Sequence, residues 1–309
     1  MKPLHIETPL IQAPPELVGP NRTVWLKMDA LQPSGSFKLR GVGRLVQARV
    51  AAGAKAVVCA SGGNAGLAAA MAAKACGVPA TIVVPHTTAD SVRRAIEARG
   101  AQLMVEGMVW DESDQIAQAL ARQIGAAYVH PFDDPLLWEG HATLIDEVVA
   151  AGIEFDAVLV DVGGGGLLAG MHAGLVRHGL STPLVAVETT GAASYAAALA
   201  AGQPVALPSV QSVASSLCAR RVCAQAVALA QQHEVISLTV SDAQAVEAVD
   251  RFVDSARVLV EPACGAVIAA LRVHEAQLAR FKAPLVVVCG GSGVTLARLY
   301  AWSVDLDIR

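Results

Sequence analysis

The sequence predicts an α/β protein of two doubly wound parallel-sheet domains, and three observations carry that expectation. Short apolar runs alternate with longer segments of helical spacing from residue 56 to residue 130. The alternation resumes after a turn-rich break at Pro131-Phe132-Asp133-Asp134-Pro135. Several apolar runs end in loops of glycine and serine, the place where parallel sheets set their ligand sites.

In chain order, residues 24–28 read as a strand leading into Pro33-Ser34-Gly35-Ser36-Phe37-Lys38-Leu39-Arg40-Gly41. Ser34 or Ser36 is the expected helix cap there, with Lys38 in the first turn. Val42, Leu45, Val46 and Ala48 give helical spacing over 41–52, and Ala56-Val57-Val58-Cys59-Ala60 is a short buried strand. An alanine-rich helix over 67–76 is stopped by Gly77 and Pro79. Strands over 80–84, 102–105 and 127–130 then alternate with helices over 91–99 and 111–124.

Beyond the break come a helix over 138–151, a strand over 157–162, a glycine loop, a helix over 167–178 and a strand over 184–187. The stretch 188–221 reads as irregular, with one helix over 194–201. Helices over 222–232, 241–254 and 266–278 follow, and a strand over 285–289 ends the pattern. The expected division is 34–135 as a smaller domain and 1–33 with 136–309 as a larger one.

Composition narrows the function. Hydrophobic residues make up 54% of the 309 positions, enough for a large core. A net charge of −4 without any basic block argues against nucleic acid and anionic membrane as partners. Aromatic residues, at 4%, are too few for base-stacking platforms. The longest uncharged stretch, 189–219, holds Gln203, Pro204, Pro208 and Gln211, so no membrane span is expected. Pro3, His5, Glu7 and Pro9 break any apolar leader. The six cysteines form no CxxC pair and sit mostly in apolar runs, which suits reduced thiols in a cytoplasmic protein.

Four segments carry chemistry. In the first turn of a helix, the Lys38 cation would be disfavoured by the positive helix end and by burial, and a lysine so placed forms Schiff bases or acts as a base. Read alone, the same lysine is a solvated cation after a loop. Gly163-Gly164-Gly165-Gly166 follows a strand and precedes a helix, where bare N–H groups make an anion site; alone, it is equally a flexible turn. It matches neither the GxGxxG nor the Walker pattern. Ser61-Gly62-Gly63-Asn64-Ala65-Gly66 has the same placement and suits a carboxylate or a ring hydroxyl, or an ordinary turn with an asparagine cap. Cys289-Gly290-Gly291-Ser292-Gly293 ends a strand with a thiol that faces a ligand or fills the core.

Jointly, Ser36-Phe37-Lys38-Leu39-Arg40-Gly41, the 61–66 loop and the tetraglycine loop, in this order and spacing, resemble the fold-type II pyridoxal-phosphate enzymes over nearly the whole chain. His130-Pro131-Phe132-Asp133-Asp134-Pro135, Trp138-Glu139-Gly140-His141, Glu261-Pro262-Ala263-Cys264-Gly265-Ala266 and Val288-Cys289-Gly290-Gly291-Ser292 narrow the resemblance to the serine/threonine dehydratase family. The resemblance implies a cofactor in the cleft between the two domains, the larger being the cofactor-binding one. It implies Lys38 as the lysine that carries pyridoxal 5'-phosphate and acts as catalytic base. Phe37 would lie on one face of the ring, Asn64 on the ring hydroxyl, Gly163, Gly164, Gly165, Gly166 and Leu167 around the phosphate, and Cys289 at the pyridine nitrogen. A thiol there is a poor proton donor, which leaves a neutral ring and favours elimination over transamination. Ser61, Gly62, Gly63, Asn64 and Ala65 would bind the substrate carboxylate.

The resemblance further implies a monovalent cation such as K+ held by Glu188, Ser194 and the carbonyls of Ala192, Leu217 and Ala219, although Cys218-Ala219 departs from the usual Gly-Val. It implies a homodimer, and the dehydration and deamination of L-serine to pyruvate and ammonia, with L-threonine going to 2-oxobutanoate. Threonine dehydratase and serine racemase are the alternatives within the family; serine against threonine turns on one methyl, worth about 1–3 kcal/mol. A nucleotide-binding sensor and a degenerate enzyme kept as a partner protein are the readings outside catalysis. Arg40 has no expected role beyond a structural salt bridge.

Overall fold

The computed structural model describes residues 2–18 and 23–309, so part of the expected 1–33 stretch lies outside the described residues. The chain opens with β1 (Leu10–Gln12), α1 (Pro15–Val18) and β2 (Trp25–Lys27). Next come α2 (Lys38–Ala51), β3 (Val57–Ala60), α3 (Asn64–Ala75), β4 (Ala80–Val84), α4 (Asp90–Glu97), β5 (Gln102–Val105), α5 (Trp110–Ile124) and β6 (Ala127–Val129). After α6 (Pro135–Ala150) follow β7 (Val158–Asp161), α7 (Gly166–Arg177), β8 (Leu184–Thr189), α8 (Ser194–Ala201), α9 (Ala224–Leu229) and β9 (Val235–Val240). The chain closes with α10 (Asp242–Ala256), α11 (Pro262–Val273), α12 (Glu275–Leu278), β10 (Leu285–Val287) and α13 (Leu296–Asp305).

Two compact units result. One comprises Gln32–His141 with the segment through Ile6, the other Glu7–Leu31 with Ala142–Arg309. The first unit holds a parallel four-stranded sheet in the order β5-β4-β3-β6. The chain winds outward from β3 through β4 to β5 and then returns to the other side of β3, so the strand order reverses between β3 and β6. Parallel sheets bind ligands at such a switch point, beyond the carboxyl ends of the strands. The loops at 61–63 and 130–134 sit there. Val57, Cys59, Ile82 and Val84 face the helices α2 and α3, whose small residues Ala68, Ala69, Ala72 and Ala73 allow close approach.

The second unit holds a six-stranded sheet, β1-β2-β10-β7-β8-β9, parallel except for β1, which pairs antiparallel to β2. The same logic gives a switch between β7 and β10. The loops that follow those two strands are 162–165 and 288–295, the tetraglycine and Cys289 segments.

Several expectations need correction. The serine caps on α2 are absent: Phe37, the residue before the helix, is itself helical at φ −52 and ψ −21 and makes no capping bond. A turn through Gly35, at φ +80, folds the segment back so that the Ser34 hydroxyl donates to the Ser36 carbonyl at 3.0 Å. Lys38 nonetheless lies in the first turn, as expected, and is the first residue of the helix. Strands β1 and β9 and helices α1 and α13 have no counterpart in the sequence reading, and the expected helix over 266–278 is two, α11 and α12. Among the described residues no helix is long and apolar enough to cross a membrane.

Candidate active site

In the first unit, Lys38 is the first residue of α2, at the positive end of the helix. Its Nζ donates to the Pro131 carbonyl at 2.7 Å and lies 5.1 Å from the centre of the Phe37 ring. The other neighbour of that ring is His141, at 4.9 Å between ring centres. His141 is fully buried, neither ring nitrogen has a hydrogen-bond partner, and burial together with the cations of Lys38, Arg40 and His5 holds it neutral. Gly41 and Gly140 let α2 and the start of α6 meet closely: a β-carbon on Gly140 would stand 2.4 Å from the Arg40 carbonyl oxygen. Arg40 is fully buried in this packing.

Beneath Lys38, the buried Cys59 thiol is pushed up to about 12, chiefly by burial and against the attraction of the lysine. The 61–63 loop is closed by the Gly63 N–H, which donates to the Ser61 hydroxyl at 3.3 Å. Helix α3 then starts at Asn64, with Leu67 N–H donating to the Gly63 carbonyl at 3.1 Å. The N–H groups of Ala65 and Gly66 precede that first internal bond and are first-turn donors at the positive end of the helix. Asn64 is thus the first helical residue, and Gly63 the cap.

In the second unit, Gly165 caps α7 in the left-handed region at φ +88, and its carbonyl accepts from Ala169 N–H at 2.9 Å. The N–H groups of Gly166 and Leu167 are again first-turn donors without an internal acceptor. The Gly164 carbonyl accepts from Cys223 N–H at 3.0 Å, which pins the loop from behind. The turn 215–217 closes over Gly163, where a β-carbon would stand 2.7 Å from the Ser216 carbonyl oxygen. After β10, the Cys289 thiol is buried against Cys264 and Asp161, and its hydrogen bond to Cys264, then burial and the Asp161 charge, keep it protonated. Glu261, at the start of α11, accepts from Gly293 N–H at 2.7 Å and holds the loop that follows Cys289.

Glu188, in β8, is fully buried and accepts from Tyr195 N–H at 2.7 Å and Ala196 N–H at 2.9 Å, at the start of α8. Burial still pushes its carboxyl up to about 7 despite those donors. The Ser194 hydroxyl beside it is buried without a hydrogen-bond partner. Ala192 ends a short 3-10 turn just before α8. Leu217 ends a second such turn, and its carbonyl accepts from Ala219 N–H at 2.8 Å. Glu188 and Ser194 are thus brought together, while Leu217 belongs to the turn packed on Gly163 and Ala219 follows it.

Three residues of consequence lack an assigned role in the sequence reading. His130 and Pro131 stand in a quoted motif, yet only the folded turn shows that the carbonyl of Pro131 meets Lys38. Asp161 is the last residue of a buried strand, and only sheet order sets it beside Cys289. A carboxylate ending an otherwise apolar strand is the signal that marks it.

The residues present fit pyridoxal phosphate by the chemistry of their donors: an amine on Lys38, the positive ends of two helices that follow glycine loops, and a thiol held protonated. The human protein named L-serine dehydratase/L-threonine deaminase is 44% identical over 99% of this chain and 97% of its own. The crystal structure of a fungal L-serine ammonia-lyase from Rhizomucor miehei superposes with a TM-score of 0.91 at 33% identity, covering 98% of this chain and 99% of that one. Maize serine racemase superposes with a TM-score of 0.88 at 26% identity, over 99% of this chain and 94% of the other. The sequence profile of the pyridoxal-phosphate dependent enzymes matches residues 1–291, and this chain belongs to that family.

Proposed function

We propose that this chain converts L-serine to pyruvate and ammonia, and L-threonine to 2-oxobutanoate and ammonia, with pyridoxal phosphate bound through Lys38. The observation that carries the reading is the Lys38 amine at the head of α2, 2.7 Å from a carbonyl at the edge of the sheet where ligand sites lie. The activities named for the human and fungal relatives support the same substrates. Gly163, Gly164, Gly165, Gly166 and Leu167 take the phosphate on the first turn of α7. Phe37 packs on the ring, Asn64 holds its hydroxyl and Cys289 faces its nitrogen as a protonated thiol. Bound pyridoxal phosphate supplies the sink for negative charge that develops at the substrate Cα.

Residues 61–65 hold the substrate carboxylate on the first turn of α3 and fix the Cα–H bond toward Lys38. The neutral Lys38 amine then takes the Cα proton as general base. With the carboxylate held and the charge at Cα delocalised, the β-hydroxyl departs with a proton, so that the proton lost from Cα and the hydroxyl together balance as one water. The aminoacrylate left from serine then takes up water to give pyruvate and ammonia. Glu188, Ala192, Ser194, Leu217 and Ala219 form the site of a monovalent cation, a reading supported by a buried carboxyl near pH 7 and a buried hydroxyl without a partner. Homodimer formation rests on the resemblance alone, and a cytoplasmic location on six free cysteines.

The test is a visible spectrum with added cofactor, followed by pyruvate and 2-oxobutanoate release from the two substrates. Lys38→Ala protein is expected to give neither product nor a borohydride-stable lysine–cofactor adduct. An adduct at the wild-type level in that variant sinks the assignment. D-serine formation in the same mixtures separates a racemase from a dehydratase.

A further inference from the structure

The segment that receives the Lys38 amine is built more firmly than a loop end needs to be. Pro131, whose carbonyl accepts from Lys38 Nζ at 2.7 Å, has a backbone fixed by its own ring. On one side, His130 Nδ1 accepts two backbone donors, Phe132 N–H at 3.2 Å and Asp133 N–H at 2.8 Å. On the other, Trp138 Nε1 donates to the Phe132 carbonyl at 2.8 Å. The His130 ring stands edge-on to Phe132 with 4.5 Å between centres, and Trp110 lies 6.1 Å away. Trp110 in turn donates to the carbonyl of Ala60, the last residue of β3, at 2.8 Å. The peptide that presents the Pro131 carbonyl is therefore tied to both strands that flank the switch point.

We infer that the turn 130–133 is a docking point for the Lys38 amine, with the Pro131 carbonyl as its acceptor and His130 as the positioning residue that fixes that carbonyl. The inference rests on the reading of Lys38 as the catalytic amine. A lysine stem is flexible, and an amine that must be released and re-engaged in every turnover gains from one fixed place to return to. Accepting two N–H groups requires a lone pair on Nδ1. Burial lowers the basicity of His130 and keeps that lone pair free, with its one proton on Nε2. An asparagine oxygen at position 130 would accept the same donors, as in an Asx-turn, whereas a phenylalanine would keep the ring contacts and lose the acceptor.

These two substitutions form the experiment. Cofactor-free protein is mixed with pyridoxal phosphate and the rate of covalent attachment is followed by visible absorbance, alongside kcat and KM for L-serine and the thermal midpoint. For His130→Phe, attachment and kcat are expected to fall about tenfold with KM little changed, as for an amine that has lost its orientation. His130→Asn is expected to recover both rates to within about twofold. Wild-type rates in His130→Phe overturn the inference, and so does an equal loss in both variants. If His130→Phe does not fold, His130→Leu takes its place with the same expectations. Failure of the catalytic reading itself appears elsewhere, as turnover that persists in Lys38→Ala.

Discussion

A β-carbon on Gly41 would stand 2.6 Å from Cε1 of His141 and 2.6 Å from the Leu137 carbonyl oxygen. Helix α2, which begins at Lys38, thus lies against the first turns of α6 with no room for a methyl group. Gly41→Ala is expected to destabilise the protein by about 1–3 kcal/mol, because overpacking outweighs the gain in helix propensity. The His141 ring would have to move, and it carries Phe37 with it. Urea unfolding together with kcat measures both effects; an unchanged midpoint and unchanged kcat refute the crowding argument.

His141 supplies a dependence on pH. Its folded-state pKa lies well below the ordinary value of 6.5, with burial the largest cause and the nearby cations adding to it. The unfolded chain takes up a proton near pH 6.5 and the folded chain does not. Stability from this residue is therefore complete above that pH and declines as the pH falls below it, by about 1.4 kcal/mol per unit for one proton. The wild-type thermal midpoint should fall between pH 6.5 and pH 5, and His141→Phe should flatten that slope. Equal slopes in the two proteins would assign the acid sensitivity to other groups.

Glu188 behaves in the opposite sense. Its folded pKa is raised from 4.5 to about 7 by burial, so its favourable contribution is full below pH 4.5 and lost as the pH rises through 7. Above pH 7 Glu188 is a buried carboxylate that accepts from two N–H donors, Tyr195 and Ala196. Replacing tetramethylammonium with potassium at constant ionic strength should raise the thermal midpoint at pH 8 and leave it nearly unchanged at pH 5. Glu188→Gln should abolish the difference. A potassium effect that survives this substitution places the cation elsewhere.

The cysteines divide by burial. Cys59, Cys223, Cys264 and Cys289 are buried, while Cys76 and Cys218 are partly exposed. Alkylation needs an exposed thiolate, and the Cys289 thiol is held protonated. Iodoacetamide on the native protein should therefore modify Cys76 and Cys218 and spare the other four, as read by peptide mass spectrometry. Rapid modification of Cys289 would mean that its thiol is neither shielded nor protonated.

The fold was legible where apolar runs were buried on both faces. Strands β3, β4, β7 and β8 are rich in valine, alanine, leucine and isoleucine, with polar residues such as Asp161 and Glu188 only toward their carboxyl ends or, as Thr81, singly, and their burial is nearly complete. Strand β9 was missed because it lies at a sheet edge with one neighbour and alternates apolar residues with Ser237 and Thr239, a pattern that helix spacing on either side obscured. The short β1, next to Pro9, was missed for the related reason that an edge strand needs few apolar side chains. The placement of the glycine and lysine segments at helix starts was readable from residue type and order. The Lys38–Pro131 and Cys289–Asp161 relationships were not, since each joins segments far apart in sequence, a helix start to the end of a strand in one case and the ends of two strands in the other. Backbone acceptors such as the Pro131 carbonyl leave no mark on composition at all.

The tetraglycine loop offers a comparison that separates crowding from backbone strain. Gly165 and Gly179 both adopt positive φ, +88 and +65, so alanine at either position costs about 1 kcal/mol of backbone strain. They differ in surroundings: a β-carbon on Gly165 would lie 2.5 Å from the Ala226 β-carbon, whereas nothing lies within 4 Å of one on Gly179. Relief at position 165 requires the loop to shift, and the loop carries the N–H groups assigned to the phosphate. Gly165→Ala should therefore weaken pyridoxal phosphate binding by about tenfold or more, as the donors leave their aligned positions. Gly179→Ala should lower the thermal midpoint and leave cofactor affinity as it was. Fluorescence titration of the cofactor-free variants reads the affinity without any need for turnover. Equal affinities in the two variants would remove the loop from the phosphate site, and equal losses would assign the effect to strain rather than to position.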